Sequence, residues 1–89
     1  MSTSILEQAL ILNRDGEYNY RLEGSYYIAK DLPDNFYKYG YATIKVRGND
    51  RFVILWGCLN NTLELLPIAI NAYNKSNNIW CGWKIYNYS

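Results

Sequence analysis

The stretch from Tyr41 to Leu59, YATIKVRGNDRFVILWGCL, most constrains the fold, because it joins two strand patterns through a turn. From Ala42 to Val46, apolar residues alternate with polar ones, which is the period of two that indicates a half-buried strand. Gly48-Asn49-Asp50 follows, and these residue types favour tight turns. The run from Phe52 to Trp56 is apolar on both faces, as is typical of a central strand. The stretch therefore predicts a β-hairpin.

The length of the turn decides which side chains of this hairpin share a face. A loop of even length pairs Val46 with Val53 and Ile44 with Leu55, which gives one aliphatic face for the core. The opposite face then carries a mixture of aromatic, basic and aliphatic residues: Tyr41, Thr43, Lys45, Arg47, Phe52, Ile54 and Trp56. A three-residue loop would instead move Val53 and Leu55 to the polar side. We prefer the even loop because it separates aliphatic from amphipathic residues more cleanly.

Two capping patterns predict helices. Ser4-Ile5-Leu6-Glu7 places a hydroxyl and a carboxylate where they satisfy free amides at a helix start, so a helix is expected at about Ile5–Asn13. A strand at Ala9–Asn13 is the alternative for its second half. Asn61-Thr62-Leu63-Glu64 repeats the pattern, and apolar residues at helical spacing follow it. These residues predict a second helix at about Thr62–Lys75.

Alternating residues predict strands on either side of the hairpin. Tyr18–Leu22 alternates and Tyr26–Lys30 continues an extended pattern, whereas Asp31–Asn35 has the composition of a loop. Ile79–Tyr86 alternates again and predicts a terminal strand. The expected fold is a small α+β domain spanning residues 1–89, of order α-β-β-β-α-β, with an antiparallel sheet packed by two helices.

The composition supplies enough apolar side chains for a core without metals or disulfides. Hydrophobic residues make up 49% of the chain and aromatic residues 17%, with ten Tyr and three Trp. Tyr and Trp join a large apolar area to a polar group, so they suit half-buried strands and protein interfaces alike. Cys58 and Cys81 are expected to be reduced thiols in the core, since the chain shows no pattern of secretion. The alternative is a bond between the two thiols, which requires the last strand to lie beside the third.

The net charge of +1 argues against a global attraction to nucleic acid or to an anionic membrane. The charges are nevertheless unevenly distributed. Residues 1–34 hold six acidic and three basic side chains, whereas residues 35–89 hold six basic and two acidic ones. One explanation is chance scatter over a solvated surface. The other is a two-sided molecule whose basic side is centred on the hairpin.

The residue types that carry most enzyme chemistry are scarce. The chain has no His, which removes the commonest general base and metal ligand. Asp31, Asp34 and Asn35 are explained by turn chemistry, and Glu7 and Glu64 by helix capping. The glycines are too dispersed for a phosphate-binding loop. We therefore predict no catalytic residue, no metal site, no cofactor and no enzymatic activity.

What remains is a cluster of aromatic and basic residues on one side of the hairpin. Its members are the predicted partner-binding residues: Tyr37, Tyr39, Tyr41, Lys45, Arg47, Phe52 and Trp56. Tyr, Trp and Arg dominate the energetics of protein interfaces, and aromatic sheet faces with nearby cations also bind single-stranded nucleic acid. A third interpretation is purely structural, with a helix covering the apolar part of this face.

The sequence thus favours a small non-catalytic module that binds another protein through a Tyr-rich sheet face. The richness in Asn, Tyr, Ile and Lys indicates an AT-rich genome, which suits a phage or mobile-element inhibitor that occludes a host factor. Single-stranded nucleic acid is the alternative partner, a small ligand is a further one, and a homodimer stays open. Without a signal peptide pattern or a long apolar run, a cytoplasmic location without membrane contact is expected.

Overall fold

A computed structural model describes residues 4–22, 32–33, 40–57 and 68–86. Within these ranges the chain forms one helix and six strands. They are α1 (Ile5–Ile11), β1 (Gly16–Leu22), β2 (Gly40–Arg47), β3 (Asp50–Gly57), β4 (Ile68–Asn74), β5 (Ile79–Trp80) and β6 (Lys84–Tyr86). The strands form an antiparallel sheet in the order β1-β2-β3-β4, and both β5 and β6 pair with β4. The predicted antiparallel α+β architecture is confirmed at this level.

The β2–β3 hairpin closes through the two residues Gly48 and Asn49. Gly48 has a φ of +57°, which the absence of a Cβ permits, and Asn49 has no positive φ. This is the φ pattern of the type II′ turns that suit the twist of hairpins. The even loop is therefore confirmed, together with the division of side chains between two faces. The individual pairs differ from the prediction by two residues, because Ile44 faces Val53 and Leu55 faces Ala42.

One face of the sheet, the core face, is covered by α1. Its buried residues are Ala42, Ile44, Val46, Val53, Leu55 and Ala69, and α1 adds Ile5, Leu6 and Ala9. Leu32 packs against the same cluster and Pro33 is buried. Burying aliphatic side chains of this size contributes roughly 1.5–3 kcal/mol each relative to leaving them exposed.

The helix begins as the sequence predicts and ends earlier. The Glu7 amide donates to Ser4 Oγ at 3.1 Å, which is the capping bond expected at the start. The last helical residue is Ile11, and Leu12 is already extended. The alternative strand at Ala9–Asn13 is wrong, because Ala9 to Ile11 are helical.

A single guanidinium group joins the end of α1 to the hairpin. Arg51 Nε donates to the Ala9 carbonyl oxygen and Nη2 to that of Leu12, both at 2.9 Å. Arg51 Nη1 donates to the carbonyl oxygens of Gly48 (2.6 Å) and Asp50 (2.9 Å). Carbonyls at a helix end lack partners within the helix, so Arg51 supplies bonds that the backbone alone does not.

The predicted helix at Thr62–Lys75 is wrong where the structure describes it, because Ile68–Asn74 is strand β4. Ala69 and Asn71 are buried, whereas Ile68 and Ile70 alternate with them on the other face. These β-branched residues fit a pleated strand. The predicted cap at Asn61-Thr62-Leu63-Glu64 lies outside the described residues. Residues 68–74 are therefore part of the sheet and do not form the predicted second helix packed against it.

A turn at residues 75–78 follows β4 in place of further helix. Asn74 Oδ1 accepts hydrogen bonds from the backbone amides of Ser76 (3.0 Å) and Asn77 (3.3 Å). Asn78 adopts a φ of +55°, a conformation that Asn tolerates better than most residues. The chain can therefore reverse and pair β5 with β4.

The terminal strand is interrupted by a β-bulge. Two residues of β4, Asn71 and Ala72, lie opposite three residues at 81–83. The buried Asn71 side chain holds the bulge, since its Oδ1 accepts from the amides of Ala72 (2.9 Å) and Gly82 (3.0 Å). Gly82 has a φ of +105°, which residues with a Cβ rarely adopt. The uninterrupted strand predicted for Ile79–Tyr86 is thus two short strands.

The prediction that Cys81 is a core thiol is wrong, because Cys81 is exposed at the bulge. Residues 81–83 lie opposite only two residues of β4, and the extra residue moves the chain out of the regular strand pairing. This displacement leaves Cys81 at the surface. Cys58 lies outside the described residues.

Replacing Arg51 with Ala should lower the free energy of unfolding by about 2–3 kcal/mol, because four backbone carbonyls lose a charged donor. Urea denaturation followed by circular dichroism measures the effect. Arg14→Ala is the matched control, since Arg14 is exposed. Equal losses in the two variants would contradict the role assigned to Arg51.

Replacing Asn71 with Leu should lower the free energy of unfolding by about 1–3 kcal/mol, since the Gly82 amide loses its acceptor within a strand pair. The same change should accelerate hydrogen exchange at the Gly82 amide, which NMR measures directly. Asn77→Ala serves as the control because that side chain is exposed. Unchanged exchange at Gly82 would show that the Asn71 carbonyl does not hold the bulge.

Candidate functional site

The face of the sheet opposite α1 is named the open face. In an antiparallel ladder, directly opposed residues share a face, so the strand pairings identify its members. They form three rows across the sheet: Arg21, Tyr41, Trp56, Ile68 and Tyr86; Asn19, Thr43, Ile54, Ile70 and Lys84; and Glu17, Lys45, Phe52 and Ala72. Arg47 and Asp50 lie opposite each other beyond the third row.

The centre of the open face is apolar along two neighbouring strands. This apolar strip consists of Phe52, Ile54 and Trp56 on β3 and Ile68, Ile70 and Ala72 on β4. Phe52 is 46% exposed and Trp56 41% exposed, whereas Val53 and Leu55 between them in sequence are fully buried. Two further aromatic residues, Tyr41 and Tyr86, continue the strip at one end and are 59% and 58% exposed. Large apolar side chains therefore lie together at the surface.

Polar and charged residues flank the strip on both sides. On the β1–β2 side, Thr43 Oγ1 donates to Asn19 Oδ1 at 2.8 Å, and Lys45 Nζ lies 3.8 Å from a Glu17 carboxylate oxygen. Lys84 lies on the opposite side, in β6. An apolar centre with a polar rim is the usual anatomy of a protein interface.

The acidic side chain at the tip of the hairpin is already paired. Lys75 Nζ lies 3.2 Å from Asp50 Oδ1. Arg47 and Lys84, in contrast, form no ion pair within the described part of the chain. The open face therefore presents two cations that are not part of an ion pair in the described residues, and the Asp50 carboxylate across the hairpin from Arg47 is paired with Lys75 instead.

The structure brings together five of the seven residues predicted to bind a partner. Tyr41, Lys45, Arg47, Phe52 and Trp56 all lie on the open face, as the even hairpin loop requires. The other two, Tyr37 and Tyr39, lie outside the described residues.

Sequence reasoning missed the part of the open face that β4 and β6 contribute. Ile68 and Ile70 alternate with Ala69 and Asn71, and that period of two was the available signal. The sequence predicts a helix for this stretch, so the period of two was not interpreted as a strand. Placing Lys84 required knowledge of the bulge, which the local pattern does not reveal.

The bulge decides which residues of the last strand lie on the open face. Before it, Trp80 pairs with Tyr73 on the core side, and their ring centroids are 5.2 Å apart. After it, Lys84 pairs with Ile70 and Tyr86 with Ile68 on the open side. In an uninterrupted strand, residues 80, 84 and 86 would share one face. The extra residue at 81–83 therefore moves Lys84 and Tyr86 to the open face.

A shallow groove of about 300 Å³ lies between the hairpin turn and the turn at 75–78. It is lined by Leu10, Asn49, Arg51, Tyr73, Lys75 and Asn78. Arg51 already donates to four backbone carbonyls, and Lys75 pairs with Asp50. The two cationic side chains that line the groove therefore already have partners within the protein. This volume is at the lower limit for small-molecule sites. The open face is therefore the stronger candidate.

The described residues contain neither a cluster of metal ligands nor a membrane-spanning helix. No group of three or more His, Cys, Asp or Glu side chains comes together in residues 4–22, 32–33, 40–57 and 68–86. In those ranges, no helix has the length and apolar character needed to cross a membrane. The expectations of no enzymatic activity and of a cytoplasmic location stay predictions.

No protein-family model matches the chain, and neither curated proteins nor solved structures give a match. The functional argument therefore depends on the geometry of the open face.

Two positions of the same strand, β3, test the division between the faces. Phe52→Ala should change the free energy of unfolding by less than about 1 kcal/mol, because Phe52 is half exposed, whereas Leu55→Ala should cost about 2–5 kcal/mol. Thermal and urea denaturation measure both. Similar losses at the two positions would show that the open face is covered within the folded chain.

Proposed function

We propose that this protein is a non-catalytic module that binds another protein through the open face. The observation that carries the proposal is the contrast between β2 and β3 on that face. In β2 it presents Thr43, Lys45 and Arg47 after Tyr41, as expected of a strand that faces water over most of its length, whereas β3 presents only Phe52, Ile54 and Trp56 beyond Asp50. Solvent exposure favours polar residues on the outward face of an antiparallel sheet. The apolar strip is therefore explained by contact with a partner.

The composition of the strip supports the same interpretation. Four residue steps along a strand cover about 14 Å, and two neighbouring strands with their side chains are roughly 10 Å wide. Apolar side chains therefore lie together over an area on the order of 140 Å², and the exposed rings of Tyr41 and Tyr86 extend this area at one end. The aromatic residues Phe52 and Trp56 in the strip, and Tyr41 beside it, are of the type that contributes most to binding energy.

Single-stranded nucleic acid suits the open face less well. A stacking platform needs aromatic rings beside cations, and Tyr41, Phe52 and Trp56 offer the rings. The middle of the strip, however, is Ile54 beside Ile70, which give bases no aromatic surface. Aliphatic side chains at the centre favour a protein partner. The host-factor inhibitor predicted from the sequence is one form of such a module.

Photo-crosslinking tests the proposal at the face itself. A photoreactive phenylalanine analogue at Phe52 should form a protein adduct in a lysate of cells that encode this protein. Trp56→Arg in the same chain should lower the adduct yield by about tenfold, because a buried arginine disrupts an apolar contact. The analogue at Ile11 is the matched control, since Ile11 is 70% exposed on α1, away from the open face.

The outcome separates the possible partners. Nuclease treatment should leave the Phe52 adduct unchanged, and its loss would identify nucleic acid as the partner. The same adducts from Phe52 and Ile11 would contradict the open face as the binding surface. Each variant is first checked by thermal denaturation, so that an unfolded chain is not mistaken for a weak binder.

A further inference from the structure

We propose that the open face binds an acidic amphipathic helix of its partner, lying along β3 and β4 over the apolar strip. This inference rests on the proposed function and specifies the chemistry of the bound segment. It follows from the shape of the strip and from the charges on its two flanks.

The strip has the dimensions of one helix. It is two strands wide, which with its side chains is roughly 10 Å, and an α-helix is about 10–12 Å in diameter. Its length from Phe52 to Trp56 is about 14 Å, which corresponds to roughly ten residues of helix. On the other side of the sheet, the protein's own α1 packs against β3 in the same manner. A helix therefore fits over the strip without displacing its polar rim.

The flanks determine the charge of that helix. Arg47 lies on β2 one row beyond Phe52, at the end of the strip, and Lys84 lies beside Ile70 on β6, so the two cations are on opposite sides of the strip's long axis. Neither forms an ion pair within the described part of the chain. Lys84 is in the row of Thr43, so Arg47 is displaced from it by about 14 Å along the strands. Acidic residues on both flanks of a bound helix would lie next to these cations.

The same charges disfavour a second copy of the chain as the occupant. A face-to-face dimer would add another Arg47 and another Lys84 to the interface, which doubles the unpaired positive charge. Like charges brought together at an interface lower affinity. A partner with acidic flanks instead removes the repulsion and steers the encounter.

Selection from a displayed library of random 16-residue peptides tests the inference with the full-length protein. Peptides that bind wild type are retained, and those that also bind Trp56→Arg are subtracted. The retained peptides should carry net negative charge and apolar residues at the i, i+3, i+4, i+7 spacing of an amphipathic helix. A basic or neutral set that still depends on Trp56 would overturn the acidic helix and leave the proposed function intact. Alternating apolar residues would overturn the helical conformation.

A binding measurement with one selected peptide then tests the role of the flanks. By fluorescence anisotropy at low salt, the peptide should bind about tenfold more tightly than its Glu→Gln counterpart, and added salt should reduce the difference. Arg47→Glu with Lys84→Glu should abolish the preference. Arg14→Glu, outside the open face, should retain it. Equal effects of the two charge reversals would overturn the assignment of these flanks.

Two further results would also overturn the inference. If no peptide remains after those that bind Trp56→Arg are subtracted, a helical segment is not what the face binds, and the crosslinking at Phe52 separately decides whether a protein does. If sedimentation shows a dimer that Trp56→Arg dissociates, the occupant is a second copy. A monomer with acidic, Trp56-dependent peptides is the expected combination.

Discussion

The guanidinium group of Arg51 is the contact on which the arrangement of the two layers depends. It lies on the core face beside Val46 and donates to carbonyls of both the α1 end and the hairpin turn. Asp15 Oδ1 accepts from the Gly48 amide at 2.8 Å and ties the chain after α1 to the same turn. A seven-residue helix is marginal by itself, so tertiary contacts must supply its stability. Arg51 therefore holds the end of α1 against the hairpin turn.

Covering one face with a single helix leaves the other face to be explained. The core face holds aliphatic residues with no exposure at Ile44, Val53 and Leu55. On the open face, β3 continues to present large apolar side chains although no described helix lies over them. Because side chains alternate strictly along a strand, the two sets are distinct even within Phe52–Trp56. The core and the proposed binding face can therefore be changed separately by substitutions at adjacent positions.

The predictable parts of this fold are those whose information is local. The alternation of apolar and polar residues, together with the turn residues, predicts the β2–β3 hairpin. The hairpin in turn predicts that Tyr41, Phe52 and Trp56 share one face. The start of α1 follows from Ser4. The strand β4 was missed because Ile70 and Tyr73 also satisfy helical spacing with the residues before them. The strand is instead determined by its pairing with β3 and by the hydrogen bond from the Gly82 amide to Asn71 Oδ1. These two residues are eleven positions apart, so a local periodicity of the sequence does not reveal their contact.

The same long-range bond connects the buried side chain of Asn71 to the composition of the open face. If the bulge were absent, the residues after it would change faces, so that Ile85 would replace Lys84 and Tyr86 beside the strip. One flank of the strip would then lose its cation, while Arg47 on the other flank would be unaffected. A buried amide thus controls the charge of a surface that it does not touch. The proposed binding face therefore depends on Asn71 and Gly82 as well as on the aromatic residues of the strip.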